Sequence, residues 1–360
     1  MSLVLEHVTR KVGPLVSIDD ISLDLARGTL NVLLGTTLSG KTSLMRLMAG
    51  LDQPTAGRVI FNGVDVTRAP VRGRSVAMVY QQFINYPGLS VYENIASPLR
   101  VAKLDKAEID RRVKEAAELL RLGGMLGRLP QELSGGQQQR TAIARALVKR
   151  ADCVLMDEPL ANLDYKLREE LREELPRIFA KSGAVFVYAT TEPSEALLLG
   201  GNTAVLKEGR LVQFGPTAEV YRRPSHIAAA DVFSDPPMNH IRAEKSGGMM
   251  HFMGQVLSAD GVFSRLSDGA FTLAFRAHHL GFAKTSASAI ALSGTVAVCE
   301  ITGSESFVHI EAAPHRFIAL ARGVRHDAPG ARVDAWIDPD DLYAFDAAGR
   351  LALAPQHGKG

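Results

Sequence analysis

The stretch from Leu133 to Asp164 reads LSGGQQQRTAIARALVKRADCVLMDEPLANLD, and it decides the fold. Its Gly-rich opening, Leu133, Ser134, Gly135, Gly136 and Gln137, leads into a helical segment whose first N–H groups have no intrahelical partner and so attract phosphate. The apolar run Cys153 to Met156 then reads as a buried strand that carries Asp157 and Glu158 to its end, where carboxylates can serve metal and water chemistry. Pro159 and the turn Ala161, Asn162, Leu163, Asp164 follow. Upstream, the short apolar strand Asn31 to Leu34 runs into Gly35, Thr36, Thr37, Leu38, Ser39, Gly40, Lys41, Thr42 and Ser43, the GxxxxGK[ST] phosphate loop. In such a loop successive N–H groups surround the phosphates, Lys41 reaches the outer ones and the Thr42 hydroxyl ligates Mg²⁺. The strand before it and the helix-like KTSLMRLMAG after it set aside a chance match in a turn.

The order and spacing of these segments resemble the ATPase subunit of an ABC (ATP-binding cassette) transporter. The resemblance covers essentially the whole chain. It implies an α/β P-loop core with a helical subdomain at about residues 88–150, and an all-β, oligonucleotide-fold (TOBE/OB-like) barrel at the C-terminus. The domains are expected at 1–235 and 236–360. It also assigns roles: Asp157, with Thr42 and Gln81, to Mg²⁺; Glu158 and Gln81 to the attacking water; and Ala161 to Asp164 to a loop crossing a dimer interface. Residues 133–137 serve ATP held by the opposite subunit, so a head-to-tail dimer is implied. Gln82 to Leu99 is expected to line the groove for a membrane permease, with Tyr86, Pro87, Val91 and Asn94 as contacts.

Three positions depart from the family's pattern. The turn that usually offers an aromatic ring to adenine places Val12 there, which has no ring to stack. Leu38 stands where another glycine is usual. The Thr-His-Asp that usually follows the strand Ala184 to Ala189 is Thr190-Thr191-Glu192 here, so the uncharged Thr191 replaces a histidine that reaches the γ-phosphate. No one-residue shift restores it, because no histidine lies between His7 and His226.

Composition limits the alternatives. Among 360 residues, 41 Lys plus Arg against 39 Asp plus Glu leave a net charge of +2, which gives no footprint for nucleic acid or an anionic membrane surface. No apolar run approaches the ~20 residues of a membrane helix, and Met1 to Arg10 lacks a signal-peptide layout. A cytosolic protein is expected, peripheral on the cytoplasmic face of the inner membrane once the resemblance is added. Cys153 and Cys299 read as separate free thiols.

Elsewhere, Leu3 to Leu25 alternates as two strands around Gly13-Pro14. Asp105 to Leu122 reads as a helix opened by a capping box, Asp105 with Glu108, and closed by Gly123-Gly124. Tyr165 to Ala180 reads as a helix kinked at Pro176. Short strands between Gly254 and Leu353, separated by Asp-Gly, Ser-Gly and Pro-Gly turns, suggest the barrel.

PPMN, FRAHHL and IDPDDLYAFD resemble the tail of sugar- and polyol-import ATPases, and GTTLSGKTSLMRLMAG is similar to glycerol-uptake importers that pair two unlike ATPases. The expected function is therefore an ATP-binding subunit importing a polyol or sugar-type solute, glycerol first. It would work beside a second, non-identical ATP-binding subunit and two permeases, with a solute-binding protein acting indirectly. Val12, Leu38 and Thr191 point to an impaired site of its own. The alternative is a nucleotide-binding scaffold that does not hydrolyse; DNA-repair ATPases with similar loops are set aside because no coiled coil separates Thr42 from Leu133.

Overall fold

The structure, a computed structural model, describes residues 2–161 and 163–355. The chain forms two compact units, divided between Thr217 and Ala218.

The first unit begins with the antiparallel pair β1 (Ser2–Val12) and β2 (Leu15–Ala26), whose alternating burial puts Leu3, Leu5 and Val8 on one inner face. The fully buried β3 (Leu30–Leu34) leads to α1 (Lys41–Ala49), then β4 (Ala56–Phe61), β5 (Val64–Asp65) and β6 (Val76–Val79). Three helices follow: α2 (Val91–Val101), α3 (Lys106–Leu119) and α4 (Gly135–Val148). The unit closes with β7 (Cys153–Asp157), α5 (Tyr165–Ser182), β8 (Val185–Thr190), α6 (Pro193–Leu199), β9 (Asn202–Lys207) and β10 (Arg210–Pro216).

The strands make two sheets, β2-β1-β4-β5 and β10-β9-β3-β8-β7-β6. In the second, β9, β3, β8, β7 and β6 are parallel and β10 is an antiparallel edge. Every residue of β3, β7 and β8 is buried, as expected where both faces of a parallel sheet are covered. A parallel sheet opens its ligand crevice at the carboxyl ends of its strands. Here those ends deliver Gly35, Gln81, Glu158 and Thr191 to one edge.

Local details differ from expectation in α3. Asp105 accepts the Glu108 N–H at 2.9 Å, but the reciprocal half of the capping box is missing because the Glu108 carboxylate is held by Arg111 and Arg112. The helix ends at Leu119, ahead of the glycines, with Arg121 turning left-handed at φ 53°. Gly123 and Gly124 instead open a 3₁₀ turn. Helix α5 runs through Pro176 to Ser182.

The second unit is mainly β. Two antiparallel sheets, one of six strands and one of four, surround one core that includes Leu273, Phe275, Val308, Ile310 and Phe317. The helix Ile227–Val232 packs into the same unit, with Ala230 beside Met238, Tyr343 and Phe345. Cys299 lies here, and both cysteines are free thiols.

Candidate nucleotide site

The phosphate loop is held open by contacts that only glycine permits. A Cβ on Gly35 would lie 2.4 Å from the Ser39 Oγ and 2.5 Å from the Leu206 carbonyl oxygen. Gly40, at φ 103°, precedes α1 with no side chain capping the helix, so its first N–H groups face the loop. The same residue abuts the Ser17 carbonyl, which fixes the start of β2 against the loop. Ser39 is buried, and its hydroxyl has no hydrogen-bond partner among the described residues.

Lys41 is buried, and its ammonium donates to the carbonyls of Gly35 (2.8 Å) and Thr36 (3.0 Å). It also lies 3.9 Å from the Glu158 carboxylate. Burial pushes Lys41 below its ordinary pKa, against the pull of Glu158 and Asp157. The Thr42 hydroxyl donates to Asp157 at 2.7 Å, and the Gln81 amide donates to Glu158 at 2.8 Å. Burial raises the pKa of both carboxyls; Lys41 opposes the rise at each, and Thr42 opposes it further at Asp157. Glu158 itself adopts φ 45°, with its N–H donating to Ala189 and its carbonyl accepting the Ala161 N–H. A non-glycine residue held left-handed costs about 1–2 kcal/mol, and such strain concentrates where a side chain must be aimed.

Hydroxyl and carboxylate oxygens such as Thr42 and Asp157 are the hard donors that Mg²⁺ selects, and that ion needs few protein ligands when phosphates and water complete its shell. The orphaned Ser39 hydroxyl and the Lys41 ammonium, resting on two carbonyls, are groups a triphosphate satisfies. The residues therefore fit Mg²⁺ and nucleotide.

Among the described residues, no hydrogen bond joins the side chains of Thr36, Thr37, Leu38, Val12 or Thr191 to this cluster. Thr36, Thr37 and Leu38 are exposed, and Leu38 takes φ 66°, the left-handed backbone a glycine would hold without strain. Val12 is 57% exposed at a hairpin tip, beside the exposed Leu15 and Val16. Thr191 is exposed, and none of the described hydrogen bonds involves its side chain, whereas Thr190 before it is buried and bonded to Glu195 at 2.6 Å.

Ser134 and Gln137 form a reciprocal capping box at the start of α4, and among the described residues no hydrogen bond ties 133–137 to the phosphate loop. Helix α4 is joined to the end of β7 by Gln139, which donates to the Pro159 carbonyl. Leu163 is buried and Ala161 exposed; Asn162 lies outside the described residues.

A groove of about 370 Å³ lies nearby, lined by Met78, Tyr86, Leu89, Pro98, Val101 and Arg145 among others. Val91 and Asn94 are not on its surface. Both are fully buried, and Asn94 is committed to the backbone of Tyr86 and Leu89. Sequence reading also missed Arg168, Arg172 and Glu195, since charged residues on α5 and α6 look like solvated faces. The i, i+4 pair of arginines was the available signal.

A phosphate-cradling loop on a parallel sheet, with paired carboxylates at the end of β7, defines a P-loop nucleotide-binding ATPase domain. Residues 18–161 match the family model described as ABC transporter, and residues 273–345 match the TOBE domain. The sn-glycerol-3-phosphate import ATP-binding protein UgpC 3 of Rhizobium etli is 34% identical, over 94% of this chain and 96% of its own length. The trehalose/maltose import ATP-binding protein MalK of Thermococcus litoralis is also 34% identical, over 95% of this chain and 96% of its own. The Fe(3+) ions import ATP-binding protein FbpC of Brucella melitensis is 40% identical over 70% of this chain and 72% of its own. Among solved structures, the ATP-binding cassette MJ0796, a dimer bound to ADP and Pi, aligns with a TM-score of 0.55 at 28% identity, covering 60% of this chain and 98% of that one. The chain belongs to the ABC transporter ATP-binding family, as a transport ATPase of the import type. Among the described residues no helix is long and apolar enough to cross a membrane.

Proposed function

We propose that the chain binds MgATP at this edge and powers import of a sugar- or polyol-type solute, with glycerol the first candidate, from the cytoplasmic face of the inner membrane. The observation that carries the reading is the pairing of Thr42 with Asp157 and of Gln81 with Glu158 at adjoining strand ends. Residues 35–43 hold the phosphates, with Lys41 neutralising the outer ones. Thr42, Asp157 and Gln81 hold Mg²⁺, which supplies charge stabilisation on the phosphates when bound. Glu158, aimed by its left-handed backbone and by Gln81, positions water for attack on the γ-phosphate.

Thr191 occupies a histidine's place without a charge or a ring to offer, and Val12 meets adenine with aliphatic surface alone. This supports pairing with a second, non-identical ATP-binding subunit, head to tail. Leu133 to Gln137 then complete the partner's site, and Ala161 to Asp164 cross the interface between the two. Two membrane permeases dock at the 82–99 groove, and a solute-binding protein delivers the solute. The Gln81–Glu158 contact supports turnover at this site over a purely scaffolding role. Relatives aligned over nearly their whole length are named for glycerol phosphate or for sugars, which supports the solute class.

The asymmetry is tested by transport of labelled glycerol, with maltose and glycerol 3-phosphate as competitors, in cells carrying Ser134→Arg or Glu158→Gln. Ser134→Arg is expected to abolish uptake and Glu158→Gln to reduce it. Equal loss from both, or a purified homodimer with full activity, overturns the unlike pair; uptake blocked by maltose alone overturns glycerol.

A further inference from the structure

Behind Thr191 the charged residues of two elements interlock. Arg168 and Arg172 stand one turn apart on α5, and Glu192 and Glu195 bracket the first turn of α6, so the four side chains share one seam. Arg172, with its side chain 10% exposed, donates to Glu195 at 2.9 Å, to Glu192 at 2.7 Å and to Glu169 at 2.6 Å. Glu195 is buried, and its other oxygen accepts the Thr190 hydroxyl at 2.6 Å and the Tyr188 phenol at 3.1 Å. The Glu192 N–H in turn donates to the Thr190 hydroxyl at 3.0 Å.

Arg168 extends the seam in the other direction. One of its nitrogens lies 3.5 Å from Glu192, and another donates to the carbonyls of Ala161 (3.4 Å) and Leu163 (3.3 Å). Those carbonyls belong to the turn that follows Glu158, and the Ala161 N–H is bonded back to the Glu158 carbonyl. A continuous set of contacts therefore runs from the backbone beside Glu158, through two guanidinium groups, to the buried hydroxyl beside Thr191. Guanidinium suits this task because its fixed planar fork can hold several acceptors at set angles, which a lysine ammonium on a flexible stem cannot do. The site chemistry proposed above uses none of these residues.

We propose that Arg168 and Arg172 are positioning residues that fasten the turn after Glu158 to the turn carrying Thr191 and Glu192, so that the two shift together. The functional part of this inference rests on the reading of Glu158 as the water-positioning group; the mechanical part does not.

The test is hydrogen exchange of the full-length protein, followed by mass spectrometry of segments 159–166 and 189–195, together with steady-state ATPase assays. Arg168→Ala is expected to speed exchange in both segments by roughly 3- to 30-fold. Glu192→Gln, whose side chain has no hydrogen bond or ion pair to 159–166 among the described residues, is expected to speed exchange there as well. In turnover, Arg168→Ala lowers kcat by about 10-fold with KM for ATP changed less than about 2-fold, and Arg168→Lys does not restore it. The double variant Arg168→Ala/Glu192→Gln loses no more than Arg168→Ala alone, as members of one linkage should. Unchanged exchange in 159–166 on Glu192→Gln, or additive losses, overturns the linkage. If Arg168→Ala does not fold, Glu192→Gln, at a side chain 44% exposed, carries the test. A protein without turnover counts against the role of Glu158, whereas the exchange result still decides the linkage.

Discussion

The two ends of the nucleotide edge are built differently. At one end Thr42, Asp157, Gln81 and Glu158 are already hydrogen-bonded in pairs, with a buried lysine between the loop carbonyls and Glu158. At the other, Thr191 and Val12 are exposed. The difference separates two requirements of phosphoryl transfer: handling metal and water needs preorganised charge, whereas sensing the γ-phosphate and gripping the base need groups that reach into the ligand. On the function proposed above, this chain keeps the first set intact and carries reduced versions of the second.

The largest expected effect breaks the intact end. Glu158→Gln should lower kcat by about 100-fold or more while leaving ATP affinity within a few-fold, measured by single-turnover hydrolysis and by nucleotide titration. A similar loss from altering the exposed end would remove the contrast. The next effect sharpens it: Thr191→His should raise kcat by about 10-fold if the uncharged side chain limits the step. An unchanged rate would mean that the two ends are limited by something they share.

The smallest effect lies outside the edge and serves as a control on electrostatics unrelated to chemistry. Arg111 and Arg112 hold the Glu108 carboxyl at about 2, down from 4.5, on the surface of α3. The folded pKa is lowered, so the stabilisation is present above the ordinary value and fades as pH falls through that window toward 2. Glu108→Gln should therefore lower Tm slightly at neutral pH, with the gap to the parent chain closing in acid and no change in ATPase rate at pH 7.

Much of this arrangement was legible because it is local. The apolar runs that became β3, β7 and β8 are continuous because both faces of those strands are covered, and each ends in its chemical residue. Gly35 to Thr42 and Leu133 to Gln137 announce themselves by composition. What the sequence concealed depends on partners distant in the chain. Glu108 had two arginines competing for it, so the capping box closed only halfway. Val91 and Asn94, expected as contacts in the permease groove, are consumed by packing and by backbone bonds. Arg172 and Glu195 resemble solvated charges until the fold brings them to 2.9 Å. Strand order was similarly hidden, because β3 pairs with β8 and β9 across most of the unit's length.

Leu38 has a consequence for how the phosphate loop receives its ligand. Glycine at that position would explore many backbone conformations before binding and surrender that freedom on contact, a loss of order 0.5–1 kcal/mol. Leucine at φ 66° has fewer alternatives to give up. The loop thus meets a triphosphate with part of its ordering already done.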